Sequence, residues 1–176
     1  MVVAAGTALL YLIQLIHVLT GPLLIRTLGI FPRQPQSLPD ILSAPLLHAG
    51  WLHLMANTVP FVVFAFLTFL AGLRPFLVAL AMSWLVSGLT VWLIGGGITV
   101  GISGVIFGLF AFLLVRGFLN RAWPQILLAL VLLACYGGIL WGLLPTVASS
   151  ISWQGHLGGA VGGVLAAVVV RRRASA

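Results

Sequence analysis

Apolar residues in this chain gather into long blocks instead of alternating with polar ones. Six blocks stand out, at 2–19, 51–71, 76–94, 103–115, 124–144 and 155–170. Most approach or exceed the roughly 18–20 residues that a helix needs to cross a hydrocarbon core. The fourth is short for a span. The pattern therefore predicts six helices. The first block could be taken for a signal peptide, but no basic segment precedes it and no small-x-small cleavage site follows closely. It reads as the first helix, with His17 as an interfacial or hydrogen-bonded residue near its end.

The stretches between the blocks differ in kind. Residues 21–50 hold Pro22, Pro32, Pro35, Pro39 and Pro45, together with Arg26, Arg33 and the only acid, Asp40. So many prolines exclude one continuous helix. Yet Leu23, Leu24, Ile25, Leu28, Ile30 and Phe31 are too apolar for a solvated loop. A structured loop with short helical pieces, partly sunk in the lipid interface, is expected. Arg74 and Pro75 mark a turn, Gly95-Gly96-Gly97 breaks the third helix, and 116–123 is a polar turn. A small polar loop follows at 145–154, with Ser149, Ser150 and Ser152, and is expected to act as a movable lid.

Composition turns this pattern into a class. The chain is 62% hydrophobic and 5% charged, with a mean hydropathy of +1.26. A soluble domain of 176 residues could not cover its surface with so little polar material. A polytopic, all-α membrane protein organised as one domain is expected. The net charge of +7 comes from arginines spread between the apolar blocks and clustered at 171–173, which is an anchoring pattern and no footprint for nucleic acid. The one cysteine, Cys135, can form no intrachain disulfide and reads as a packing residue. Six spans put both termini on one side. Arg74, Arg116, Arg121 and the terminal arginines share that side, leaving Arg26 and Arg33 opposite, so the first set is expected in the cytoplasm. The second, fourth and sixth helices then start at the outer face. Their first turns carry His48, His53 and Asn57; Ser103; and His156.

Polar side chains inside spans are costly and commonly functional. Ser103 alone reads as a packing or capping residue, and His156 alone as an interhelical hydrogen-bonding group. At matched depth they point to a nucleophile and its general base, because a serine hydroxyl needs a neighbouring base to become reactive. Asp40 is the only side-chain carboxylate and lies in the proline-rich loop, so a Ser-His dyad is predicted in place of a triad. Gly104 and Gly108 pair with a stripe of Gly155, Gly159 and Gly163 at four-residue spacing, which would let two helix backbones approach closely. Amide hydrolysis also needs donors for the developing oxyanion. Backbone N–H groups near Ser103 can supply them, as can Asn57 and His53 or His48.

Three segments taken together resemble the rhomboid intramembrane serine proteases: His48-Ala49-Gly50-Trp51-Leu52-His53-Leu54-Met55-Ala56-Asn57, then Gly101-Ile102-Ser103-Gly104, then Gly155-His156-Leu157-Gly158-Gly159 with Gly163. The resemblance covers roughly residues 40–170. It implies a six-transmembrane-helix rhomboid bundle in its minimal form. It implies Ser103 as nucleophile, His156 as general base and acid, and an oxyanion site from Asn57, His53 and the Ser103 backbone, with His48 supporting the loop. It further implies cleavage of transmembrane protein substrates near their outer ends, at small side chains and without metal or cofactor, at a site in the lipid bilayer. Two departures stand out. Pro39-Asp40 occupies the place of a Trp-Arg pair common in the family's first loop. Phe107 stands where many members carry a tyrosine; its ring can still stack on His156, without a hydroxyl. The competing readings are an inactive relative that binds transmembrane helices and a small transporter. The first would commonly lack the serine or the histidine. The second would show inverted repeats and intramembrane charges. The all-arginine basicity fits a bacterial cytoplasmic membrane.

Overall fold

The computed structural model describes residues 1–146 and 151–171. Its helices are α1 (Val2–Thr20), α2 (Leu23–Leu28), α3 (Trp51–Phe69), α4 (Leu73–Ile94), α5 (Ser103–Leu119), α6 (Trp123–Tyr136) and α7 (Trp153–Val169). Three single 3-10 turns, Pro35–Ser37, Pro39–Ile41 and Ala44–Leu46, lie between α2 and α3, and a longer 3-10 run, Gly137–Leu143, continues α6. The described residues thus form an all-helical molecule. Four helical stretches are long and apolar enough to cross a membrane: α1, α3, α4 and the combined run Trp123–Leu143. The shorter α5 is apolar as well.

The helix boundaries depart from the sequence pattern at polar positions. α4 starts at Leu73, so Arg74 and Pro75 sit in its first turn instead of a connecting turn. Proline is tolerated there because the first N–H groups of a helix have no intrahelical acceptor. α5 continues to Leu119 and carries Arg116 in its last turn, where a cation meets the negative end of the helix dipole. The fifth block is not one helix. α6 gives way to 3-10 geometry at Gly137 and Gly138, two adjacent residues of low helix propensity. α7 begins at Trp153, where the Ser152 hydroxyl accepts from the Gly155 N–H at 3.3 Å as an N-cap. Residues 147–150 of the expected lid, including Ser149 and Ser150, lie outside the described residues, as do Arg172 and Arg173.

α5 is the centre of the bundle. Every residue from Gly104 to Phe110 is buried, and α4 and α7 lie against it. The glycines of α7 make this possible on two sides. A Cβ on Gly159 would overlap the Gly104 carbonyl, and one on Gly163 the Gly108 carbonyl. Gly158 and Gly162 turn instead to α4, meeting Thr90 and the Met82 carbonyl. α7 is therefore seated between α5 and α4 with its backbone against both. α1 and α6 are peripheral. Each buries two residues, Leu10 and Gln14 in one, Ala129 and Leu132 in the other.

The proline-rich segment closes one end of the bundle. Ile30 and Thr99 exchange backbone hydrogen bonds of 3.1 and 3.0 Å. The Gly101 N–H donates to the Ala44 carbonyl at 3.0 Å. Two indoles of α4 reach the same segment: Trp84 Nε1 donates to Ile41 O at 2.8 Å and Trp92 Nε1 to Gln34 O at 2.9 Å. The three short 3-10 turns are the short helical pieces expected from the prolines, and apolar side chains such as Leu42, 63% exposed, lie on the outside of this segment.

Candidate active site

The α5 and α7 helices start side by side because small residues line their contact. Their first turns therefore bring together two side chains 53 positions apart. His156 Nε2 lies 2.9 Å from Ser103 Oγ, and His156 Nδ1 lies 2.9 Å from the Gly142 carbonyl oxygen. A carbonyl can only accept, so Nδ1 of the neutral ring carries the proton. Nε2 is then the acceptor, and the Ser103 hydroxyl donates to it. The imidazole ring lies flat on Phe107, with centroids 4.0 Å apart and planes 10° apart. His156 and Phe107 are buried, and Ser103 is half-buried.

Gly142 belongs to the 3-10 run after α6. A Cβ there would come within 2.9 Å of His156 Nδ1 and 3.0 Å of Phe107 Cζ. The absence of a side chain at this position is what lets the backbone carbonyl reach the ring. Sequence reasoning did not find this partner, because every residue has a carbonyl and only the fold aims one.

On the other side of Ser103 stands α3. Asn57 is buried and donates one Nδ2–H to the His53 carbonyl at 3.0 Å, leaving its second N–H for another acceptor. The Ala49 N–H donates to His53 Nδ1 over a long 3.4 Å, so Nε2 is the protonated nitrogen of a neutral ring. That ring packs against Gly101: a Cβ on Gly101 would sit 2.7 Å from His53 Cε1 and 3.0 Å from Nε2. Gly101 also has a φ of 118°, which side chains strongly disfavour. Backbone angle and lack of space both demand glycine here. Ser103 is the first residue of α5, so its N–H and those following it are free of intrahelical acceptors. Three kinds of donor thus line the same cavity as Ser103: the helix start, Asn57 and His53.

His48 lies outside the helices, 1% exposed, with its ring edge-on to His53 at 5.0 Å between centroids. Burial, and then the His53 ring, push its pKa down to about 4, while the Leu46 backbone works weakly the other way without a formed hydrogen bond. The ring is a neutral spacer beneath His53.

A cavity of about 940 Å³ opens beside Ser103, Asn57 and His156, bounded by the glycines at 96–97, Ile151 and Trp153. Among the described residues no arginine and no carboxylate lines it. Among the described residues no three His, Cys, Asp or Glu side chains are grouped to hold a metal ion.

α4 supplies a support that the sequence pattern did not single out. Ser87 Oγ donates to the carbonyl of Gly155, the residue before His156, at 2.8 Å. Ser83, one turn away, sits against Gly108. A pair of serines four residues apart on an apolar helix was the available signal.

A family model described as Rhomboid domain matches residues 35–173. Uncharacterized proteins of Mycobacterium tuberculosis (strain ATCC 25618 / H37Rv) and Mycobacterium bovis are each 49% identical over 173 residues, covering 93% of this chain and 71% of the relative. An uncharacterized protein of Mycobacterium leprae is 45% identical over the same length, covering 93% of this chain and 68% of its own.

Proposed function

Since the chain belongs to the rhomboid family, an integral membrane family whose domain implies intramembrane proteolysis, we propose that it is a serine endopeptidase working through Ser103 and His156. One observation carries the reading. The base accepts from the serine at 2.9 Å while its other nitrogen is held by the Gly142 carbonyl at 2.9 Å. That is the tautomer a general base requires.

The mechanism follows from the contacts. The substrate is an extended stretch of a transmembrane protein, entering the cavity beside Ser103 from the bilayer. Ser103 Oγ attacks the scissile carbonyl carbon and passes its proton to His156 Nε2. The carbonyl oxygen becomes an oxyanion within reach of the N–H groups at the α5 start, Asn57 Nδ2 and His53 Nε2. The imidazolium is steadied by the Gly142 carbonyl on Nδ1–H and by the Phe107 face. Collapse of the tetrahedral intermediate expels the amine, which takes the proton from Nε2, and leaves an acyl-enzyme on Ser103. A water then gives its proton to Nε2 as it attacks the ester carbonyl; collapse of this second intermediate releases the carboxyl product, and the leaving Ser103 Oγ takes the proton back from Nε2. No residue here supplies a carboxylate, so the peptide dipole of Gly142 stands where a triad would have an acid. The chain works as one rhomboid domain of six spans, α1 and α3 to α7, with the cavity opening to the outer face and cleavage near the outer end of the substrate helix.

The test is Ser103→Ala. Cleavage of a reporter transmembrane substrate and labelling by a fluorophosphonate are both expected to vanish, with the helical circular dichroism intact. Cleavage surviving in that variant would refute the assignment.

A further inference from the structure

The last carbonyls of a helix have no intrahelical donors. At the end of α4 they are taken up by two distant parts of the chain. The Arg33 backbone N–H donates to Trp92 O at 2.8 Å. Arg33 Nη1 donates to Gly95 O at 3.0 Å and, at a long 3.5 Å, to Leu93 O. Gln154 Nε2 donates to Ile94 O at 3.3 Å. The Trp92 indole answers by donating to Gln34 O at 2.9 Å. Arg33 holds this place at a φ of 61°, a left-handed conformation uncommon outside glycine.

This junction leads through short stretches of chain to both reacting side chains. Residues 95–101 run from it to Ser103, and four of those seven are glycine, so the segment has little stiffness of its own. It is held by the cap at Gly95, the Ile30–Thr99 exchange and the Gly101 bond to Ala44 O. Gln154 lies two positions before His156 on the opposite side. We propose that Arg33 and Gln154 are positioning residues that clamp the end of α4 and thereby set the reach between Ser103 and His156. The role rests on Ser103 and His156 being the reacting pair. In this chain the clamp anchors the proline-rich loop to α4, where the Trp-Arg pair is replaced by Pro39-Asp40.

The test uses the full chain in detergent. Arg33→Asn keeps a residue that tolerates the left-handed backbone and removes the guanidinium. Amide exchange across 95–101 is expected to rise about tenfold, the equivalent of one hydrogen bond of ordinary net strength. Amides of α5 and α7 should hold their rates. The chemical step of fluorophosphonate labelling should slow by a similar factor with the reagent's reversible binding unchanged. Arg33→Lys should restore part of both. Gln154→Leu should slow labelling too, and the double variant should lose less than the two single losses combined, as residues sharing one junction do. Unchanged exchange at 95–101 overturns the clamp, and so does faster exchange with an unchanged labelling step. A wild-type protein that takes no label at all overturns the serine chemistry instead, and with it the positioning role, whatever exchange reports.

Discussion

The proton on Nδ1 of His156 is fixed by a backbone oxygen, and that makes Gly142 a sensitive position outside the proposed pair. Gly142→Ala would drive a methyl group against two rings that cannot swing aside, at 2.9 Å from His156 and 3.0 Å from Phe107. Both rings would have to give by a few tenths of an ångström, a fraction of the roughly 1 Å misplacement that costs about 100-fold in rate. We expect kcat to fall by about tenfold with KM nearly unchanged; a variant with full turnover would remove Gly142 from the mechanism. His48 offers a second test, in stability. Its folded pKa of about 4 lies below the ordinary histidine value of 6.5, so between those values the unfolded chain binds more protons than the folded one. Stability from this group is complete above pH 6.5 and lost as pH falls toward 4. The upper bound is about 3 kcal/mol. His48→Gln should flatten the acid limb of a Tm-against-pH curve, and an unaltered limb would mean the ring is not the titrating group. Ser103, His156, Asn57 and His53 were all legible in the sequence, because polar residues at matched depth in apolar blocks are conspicuous. Gly142 was not, since its contribution is an atom that all residues share.

Among the helices, the tightest constraint is the passage of α7 between α5 and α4. The stripe Gly155, Gly159, Gly163 was readable as a close-packing face, and its partner α5 followed from the Gly104–Gly108 pair. The second face was not readable. Gly158 and Gly162 look like ordinary small residues until α4 is seen to fill the space opposite with Thr90 and the Met82 carbonyl. Sequence spacing reports which residues share a face, but it does not report which helix will cover that face. The same limit hid the 3-10 run. Its glycines were visible, yet only the need to reach His156 gives the bend its use. Paired substitutions separate these effects. Gly159→Ala places a methyl group on the Gly104 carbonyl, which belongs to a backbone that cannot yield. It should cost about 3 kcal/mol or more, at the upper end for overpacked cores. Gly96→Ala meets nothing within 4 Å and should stay within about 0.5 kcal/mol of wild type. Equal melting temperatures for the two variants would contradict the close approach of α5 and α7.

Across the whole molecule, most of the described arginines and the site lie at opposite ends. α4 begins where α5 and α7 end, since Met82 and Ser83 of α4 meet Gly162 and Gly108, while Ser87 meets the α7 start at Gly155. Arg74, Arg116, Arg121 and Arg171 therefore gather at one end of the bundle. Arg26 and Arg33 stand at the other, beside the proline-rich segment and the cavity. Arginine-rich ends are retained in the cytoplasm during insertion, so the cavity end should face outward. Water would then reach Ser103 from outside, through the cavity of about 940 Å³, without crossing the bilayer. The orientation can be measured directly, because the chain has a single cysteine, Cys135. In a Cys135→Ala background, Gln36→Cys lies in the exposed loop over the cavity end, and Arg121→Cys in the turn between α5 and α6. A membrane-impermeant maleimide should label the first in intact cells and the second only after permeabilisation. The reverse order would invert the molecule in the bilayer and turn the site toward the cytoplasm, which would leave the serine chemistry standing but move its substrates to the other side.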